Sequence, residues 1–335
     1  MKDRIEITVF SRQDISAAVS MWNYWAKTEQ MIYASVTEEQ FRDTFLESVH
    51  YSEEYMLAAH NEFGELVGFG AGLIKRKYLQ GEDFFNTPGY ITMIMVSPEW
   101  SKKGIGVKIL KELEQRFYAA GKKKVRITYR NPVPLTWKIP NTSSAYHNNA
   151  PGVDMESIAC HMFETQGYVL QSVEDGMYLP LDNFAVTEKV QEKQSKLLDE
   201  GISIELYDSK QHIGFEELFD ALHGEVWRET IRENNQKENP LPVLIASDGK
   251  NIVGFAGPID KEANGRGWFN GIATHPDYER RGIATVLFWR LMEQFSQIGA
   301  GYSTLFTDEE NPALKLYRSV GFSVAKRFAV MEKEL

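Results

Sequence analysis

Two short stretches put glycine next to positive charge in a way that suits phosphate binding. Residues 101–106 read Ser-Lys-Lys-Gly-Ile-Gly, and residues 279–284 read Glu-Arg-Arg-Gly-Ile-Ala. Gly104 and Gly106 in the first, and Gly282 and Ala284 in the second, are small enough to let a ligand approach the main chain. If each stretch runs into a helix, the N–H groups there, those of Ile105 and Ile283 among them, point at an anion. Lys102, Lys103, Arg280 and Arg281 would add charge beside the phosphates. Either stretch alone reads equally well as a solvated basic turn. Other reactive side chains offer less. Cys160, the single cysteine, is assigned no catalytic part. The seven histidines lack metal-ligand spacing, so no metal is expected.

The elements that would position these stretches occur twice. Val96–Gly106 (VSPEWSKKGIG) matches Thr274–Ala284 (THPDYERRGIA) position for position, at an offset of 178. A glycine-bearing strand precedes each copy, Glu65–Gly72 and Asn251–Gly257, and an apolar strand runs into each loop, Ile91–Val96 and Trp268–Thr274. After each loop comes a helix with apolar residues at 3–4 spacing: Val107, Ile109, Leu110, Leu113 and Phe117, then Val286, Leu287, Trp289, Leu291 and Phe295. Farther on, Phe163–Tyr168 pairs with Tyr317–Phe322 at an offset of 154, and each glycine after the last helical turn suits a left-handed cap. The drop in offset locates a 24-residue insertion in the first half, at about 132–154, whose Pro, Asn, Ser and Gly content reads as a loop. Each half reads strand, one or two helices, three strands, loop, long helix, strand, short helix, strand. The fold class is mixed α/β, with domains expected at 1–183 and 202–335 and a charged, helix-compatible connector at 184–201.

These residues resemble the GNAT superfamily of acyl-CoA N-acyltransferases, whose loop reads R/Q-x-x-G-x-G/A and whose later motif ends L-Y-x-x-x-G-F. The second half fits through Arg280–Ala284 and Asn311–Phe322; Ser101 and Glu279 depart from the family's Arg or Gln. The resemblance implies two tandem domains, each a mostly antiparallel sheet with splayed fourth and fifth strands flanked by helices. It implies acetyl-CoA as co-substrate, its pantetheine lying along backbone near Ile94 and Val96 or near Ile272 and Thr274, with Asn311 beside it. Tyr317 then protonates the departing thiolate, so the C-terminal domain is expected to carry the chemistry. Phe163 stands at the matching place in the first half and cannot donate a proton; Tyr146 and His147 in the insertion are candidate substitutes, and Trp137 an anchor. The reaction is direct attack by a primary amine, with Asp308, Glu309 and Glu310 as candidate bases or plain loop acids. His275 beside the loop is assigned no catalytic part.

Bulk properties limit the alternatives. A chain of 335 residues suits two cores, and 43% hydrophobic with 25% charged residues is the composition of a folded globular protein. A net charge of −10 disfavours nucleic acid. No run approaches the length of a membrane span, and Met1–Phe10 alternates like a strand instead of showing a signal peptide's apolar stretch. A reducing cytoplasm, a small-molecule or peptide amine as acceptor, and a monomer or homodimer are expected. The rival reading is a non-catalytic CoA-binding or partner-binding scaffold; catalysis in the N-terminal domain is the other.

Overall fold

The computed structural model describes residues 4–28 and 31–335. The first half of the chain runs β1 (Glu6–Val9), α1 (Ile15–Ala26), α2 (Glu38–Phe45), β2 (Met56–His60), β3 (Leu66–Ile74), β4 (Gly89–Val96), α3 (Ile105–Ala119), β5 (Lys124–Ile127), β6 (Trp137–Lys138), β7 (Tyr146–His147), β8 (Val153–Asp154), α4 (Ile158–Thr165) and β9 (Val169–Pro180). The second runs α5 (Glu188–Asp199), β10 (Ile202–Leu206), α6 (Phe215–Leu222), α7 (Glu225–Asn235), β11 (Leu244–Asp248), β12 (Asn251–Gly257), β13 (Asp260–Lys261), β14 (Arg266–Trp268), β15 (Gly271–Thr274), α8 (Ile283–Gln297), β16 (Tyr302–Asp308), α9 (Leu314–Val320) and β17 (Ser323–Glu334). The mixed α/β class and the repeated order match the sequence reading. Of the alternating stretch at the start, residues 1–3 lie outside the described residues. Among the described residues no helix is long and apolar enough to cross a membrane.

Two compact units form, and neither is a continuous stretch of chain. Unit 1 is Met1–Gly176 with Phe306–Glu310 and Val324–Leu335; unit 2 is Met177–Leu305 with Asn311–Ser323. Boundaries at 183 and 202 follow sequence order, whereas the spatial division sends the end of the chain back to unit 1. There β17 pairs antiparallel with β5, Met331 opposite Ile127 and Lys333 opposite Val125.

In unit 1, β1 to β4 form an antiparallel ladder. Helix α3 lies on one face of it, with Ile105, Ile109, Leu110, Leu113 and Phe117 all buried; each such side chain contributes roughly 1.5–3 kcal/mol. The helix can sit that close because β3 has glycine beneath it. A Cβ on Gly70 would stand 2.3 Å from Ile109 Cγ2. Helices α1 and α2 cover the other face with Trp22, Phe41 and Phe45, and a capping box between Thr37 and Gln40 starts α2.

Unit 2 repeats the plan with β10–β11–β12–β15 and with α8 buried through Ile283, Val286, Leu287, Leu291 and Phe295. Helix α5, from the expected connector, is part of this core: Val190 and Leu197 are buried in it. The insertion also differs from the expected loop. Trp137, Ile139, Ala145 and Val153 are buried, and their apolar area holds β6, β7 and β8 in place.

Candidate functional site

The site in unit 1 starts where β4 and β5 part. These parallel strands pair only at Gly89 with Val125 and Tyr90 with Arg126, and β4 carries a register shift just beyond, where Ala71 faces Met93 and Gly72 faces Ile91. The extra residue, Thr92, bends the strand away from β5. Ser97 N–H donates to Val67 O at 2.9 Å. By antiparallel alternation, Met95 and Met93 then face β3, while the N–H and C=O of Ile94 and Val96 point into the split. Trp25 Nε1 donates to Val96 O at 2.8 Å.

At the end of β4 the chain turns through Lys102 and Gly104, with φ of 65° and 78°, into α3. The first helical bond is Lys108 N–H to Gly104 O at 3.1 Å, and no side chain caps the helix. The N–H groups of Ile105, Gly106 and Val107 therefore emerge from the helix end without a main-chain acceptor. Gly106 is cradled: a Cβ there would meet Met162 Sδ at 3.2 Å and Ile94 Cγ2 at 3.7 Å, whereas one on Gly104 would meet nothing within 4 Å. An exposed helix N-terminus beside a lysine, a bare strand edge and glycine in place of larger residues fit a pyrophosphate followed by an extended chain.

These features line one cavity of about 730 Å³, which takes in Ile94, Val96, Lys102, Gly104, Ile105 and Gly106. Lys103 is not among the lining residues; its Nζ lies 4.1 Å from the centre of the Trp100 ring. Beyond the split the wall is built by α1 and the insertion. Lys138 N–H donates to Ile32 O at 2.7 Å, and Tyr33 forms a bridge with Trp137. Tyr33 also lines the cavity; burial, then the charge of Asp154, push its phenol above the ordinary value. Asp154 is itself buried in the lining and pairs with Lys326 at 3.2 Å.

In unit 2 the loop copies the backbone, with φ of 60° at Arg280 and 95° at Gly282, and Ile272 and Thr274 likewise point away from β12, because His275 N–H donates to Val253 O. The surroundings differ. Helix α5 lies against α8, Lys193 Cδ stands 2.7 Å from where a Cβ on Gly282 would be, and Glu200 accepts from Arg281 at 2.6 Å. Tyr317 is half-buried, 5.1 Å from the Phe288 ring, and burial raises its pKa. Asn311 Oδ1 accepts from Ala313 N–H at 2.9 Å.

The Acetyltransferase (GNAT) family model matches residues 19–132 and 206–322, most of both halves. The chain belongs to the GNAT acetyltransferase family. A search of curated proteins finds no match. Among solved structures, a GCN5-related N-acetyltransferase from Sphaerobacter thermophilus is similar at TM-score 0.62 and 17% identity, over 98% of this chain and 95% of that one. A tandem GNAT protein from the clavulanic acid biosynthesis pathway is similar at TM-score 0.60 and 12% identity, over 99% and 98%. A fungal glucosamine N-acetyltransferase region within a multi-domain β-N-acetylglucosaminidase is similar at TM-score 0.72 and 15% identity, over 99% of this chain; the chain spans 38% of that protein's length. At these identities the likeness is one of fold.

Against that GNAT framework, Phe163 lines the cavity, where Tyr317 is its counterpart in unit 2. The sequence reading missed Trp25, Tyr33, Asn149 and Asp154, which the fold brings to the same cavity. Nothing in the sequence marked Trp25 or Tyr33; the signal for Asn149 and Asp154 was the insertion itself. Its named candidates fall elsewhere: His147 is buried against Trp137 and Phe306, and Tyr146 lies in β7, outside the lining. Asp308, Glu309 and Glu310 fold into unit 1, away from the lining, with Glu309 paired to Arg327. Cys160 is buried, and burial raises its thiol pKa.

Proposed function

We propose that the chain is an acyl-CoA-dependent N-acetyltransferase in which unit 1 binds acetyl-CoA and transfers its acetyl group to a primary amine. The observation that carries this is the cavity that runs from the bare N-terminus of α3 through the β4/β5 split to the wall formed by α1 and the insertion. The N–H groups of Ile105, Gly106 and Val107, with Lys102, would take the phosphates. Unpaired backbone of β4 is then available to the pantetheine amides and to the oxyanion. The neutral amine nitrogen bonds to the thioester carbon, the C–S bond breaks, the nitrogen sheds a proton to solvent, and the thiolate takes one. Phe163 cannot supply that proton. Tyr33 is a phenol of the same cavity held in its O–H form, and it takes the donor's part here. The acceptor is a small-molecule or peptide amine, the protein a monomer or homodimer, its location the cytoplasm.

A second reading keeps the chemistry in unit 2, on the strength of Tyr317 within Leu316–Phe322. Calorimetric titration with acetyl-CoA separates the two. Gly106→Trp fills the cradle of unit 1, and Ala284→Trp the matching place in unit 2. One site, lost in Gly106→Trp and retained in Ala284→Trp, is the expected outcome. Loss only in Ala284→Trp moves the site to unit 2, and no binding by the wild type ends the acetyltransferase reading.

A further inference from the structure

The identity of the acceptor rests on the reading of unit 1 just given, and the cavity's two faces bear on it. Because of the bulge at Thr92, Ile94 and Val96 pack with the cluster under α3, whereas Met93 and Met95 pack with the cluster under α1 and α2. Lining residues come from both clusters, so the cavity passes through the sheet at the split. On the α3 face it ends at the helix N-terminus and Lys102. On the other face the wall includes Trp25, Met31, Tyr33, Met93 and Leu135, which belong to one apolar cluster or pack against it, with uncharged Thr92, Asn131 and Asn149 beside them. None of these carries a charge. Leu135 comes from the insertion, which has no counterpart in the second half, and the bridge between Tyr33 and Trp137 holds it against the segment after α1.

Among the described residues, charge in the lining beyond the phosphate loop comes from Asp154 and Glu156. Both pair with Lys326, so the trio carries one net negative charge. We propose that the acceptor is a monoamine, a single ammonium on an aromatic or alkyl body, and that polyamines and amino sugars are poor substrates. An apolar body gains free energy by being buried against this wall, in proportion to the apolar area covered. A sugar would turn hydroxyls toward Met31, Met93 and Leu135 and lose their water bonds there. A polyamine would bring further ammonium groups to a wall whose described residues offer no carboxylate beyond Asp154 and Glu156. The single positive charge of a monoamine matches the surplus charge at Asp154, which lies near enough to Tyr33 to oppose its ionisation.

The test is release of free CoA from acetyl-CoA with phenethylamine, hexylamine, spermidine and glucosamine as acceptors, run beside calorimetric binding of acetyl-CoA to the same protein. Phenethylamine or hexylamine should show kcat/KM at least about tenfold above the other two. In Leu135→Asp that advantage should disappear with acetyl-CoA affinity unchanged. Leu135 is buried, so Met31→Asp, on a half-exposed side chain, serves the same purpose without threatening the fold. Preference for spermidine or glucosamine, or no preference among the four, overturns the acceptor assignment while bound acetyl-CoA keeps the site reading intact. No acetyl-CoA binding overturns both.

Discussion

Phe163 and Tyr317 occupy matching places in the two halves, and only one of them can give up a proton. Phe163 is 4% exposed and lines the cavity; Tyr317 sits among Phe288 and Phe322. If unit 1 carries the reaction, Tyr33→Phe should lower kcat at least about tenfold, within what general acid catalysis contributes, and leave acetyl-CoA affinity unchanged. In the same assay Tyr317→Phe, which keeps the ring packed on Phe288 and Phe322, should leave kcat within about twofold. Steady-state kinetics on both variants checks this, and the reverse pattern would return the chemistry to unit 2. Residues of the phosphate loop were legible in the sequence, because glycine at two fixed positions before an amphipathic helix has a local meaning. Trp25, Tyr33 and Asp154 were not. Trp25 and Tyr33 lie near the start of the chain and Asp154 at the end of the insertion, and only the fold brings them to one cavity, so no local spacing joins them.

Elements place the site as much as residues do, and one charged anchor helps fix the connection that leads into β4. Lys122, between α3 and β5, is 3% exposed. Its Nζ donates to Thr87 O at 2.8 Å and sits 3.9 Å from the Phe84 ring, tying down the segment before Gly89. Burial pushes its pKa from 10.5 down to about 8. Between those values the unfolded chain holds a proton that the folded chain has released, so stability from this group rises with pH across that window. The melting temperature of the wild type minus that of Lys122→Met should therefore rise from about pH 7 to about pH 10; a constant value would mean that Lys122 keeps its ordinary pKa in the fold. The helices and strands around it were readable from period and caps. The insertion was not: its turn residues suggested a loop, while Trp137, Ile139 and Val153 bury enough apolar surface to hold short strands.

At the scale of the whole molecule, the chain's last strand matters most for a site almost entirely encoded before residue 164. Lining residues run from Trp25 to Phe163, but β17 supplies the partner of β5 and of β8 at Phe328 and Ala329. Ala329 and Met331 are buried in the core under α3, and Glu332 accepts from Lys124 at 2.8 Å while Lys333 donates to Glu114 at 2.8 Å. Sequence order concealed this, because a repeat read along the chain assigns each strand to the half in which it is written. A strand at the far end can complete the first sheet without any local signal, since ladder pairing depends on register and not on distance along the chain. A chain ending at residue 323 retains every lining residue yet leaves the edge of β5 unpaired and Val125, Ile127 and Phe117 without their cover. Such a truncation should lose acetyl-CoA binding in calorimetry and the cooperative melting of unit 1. Full affinity in the truncated chain would show instead that unit 1 keeps its site without residues 324–335.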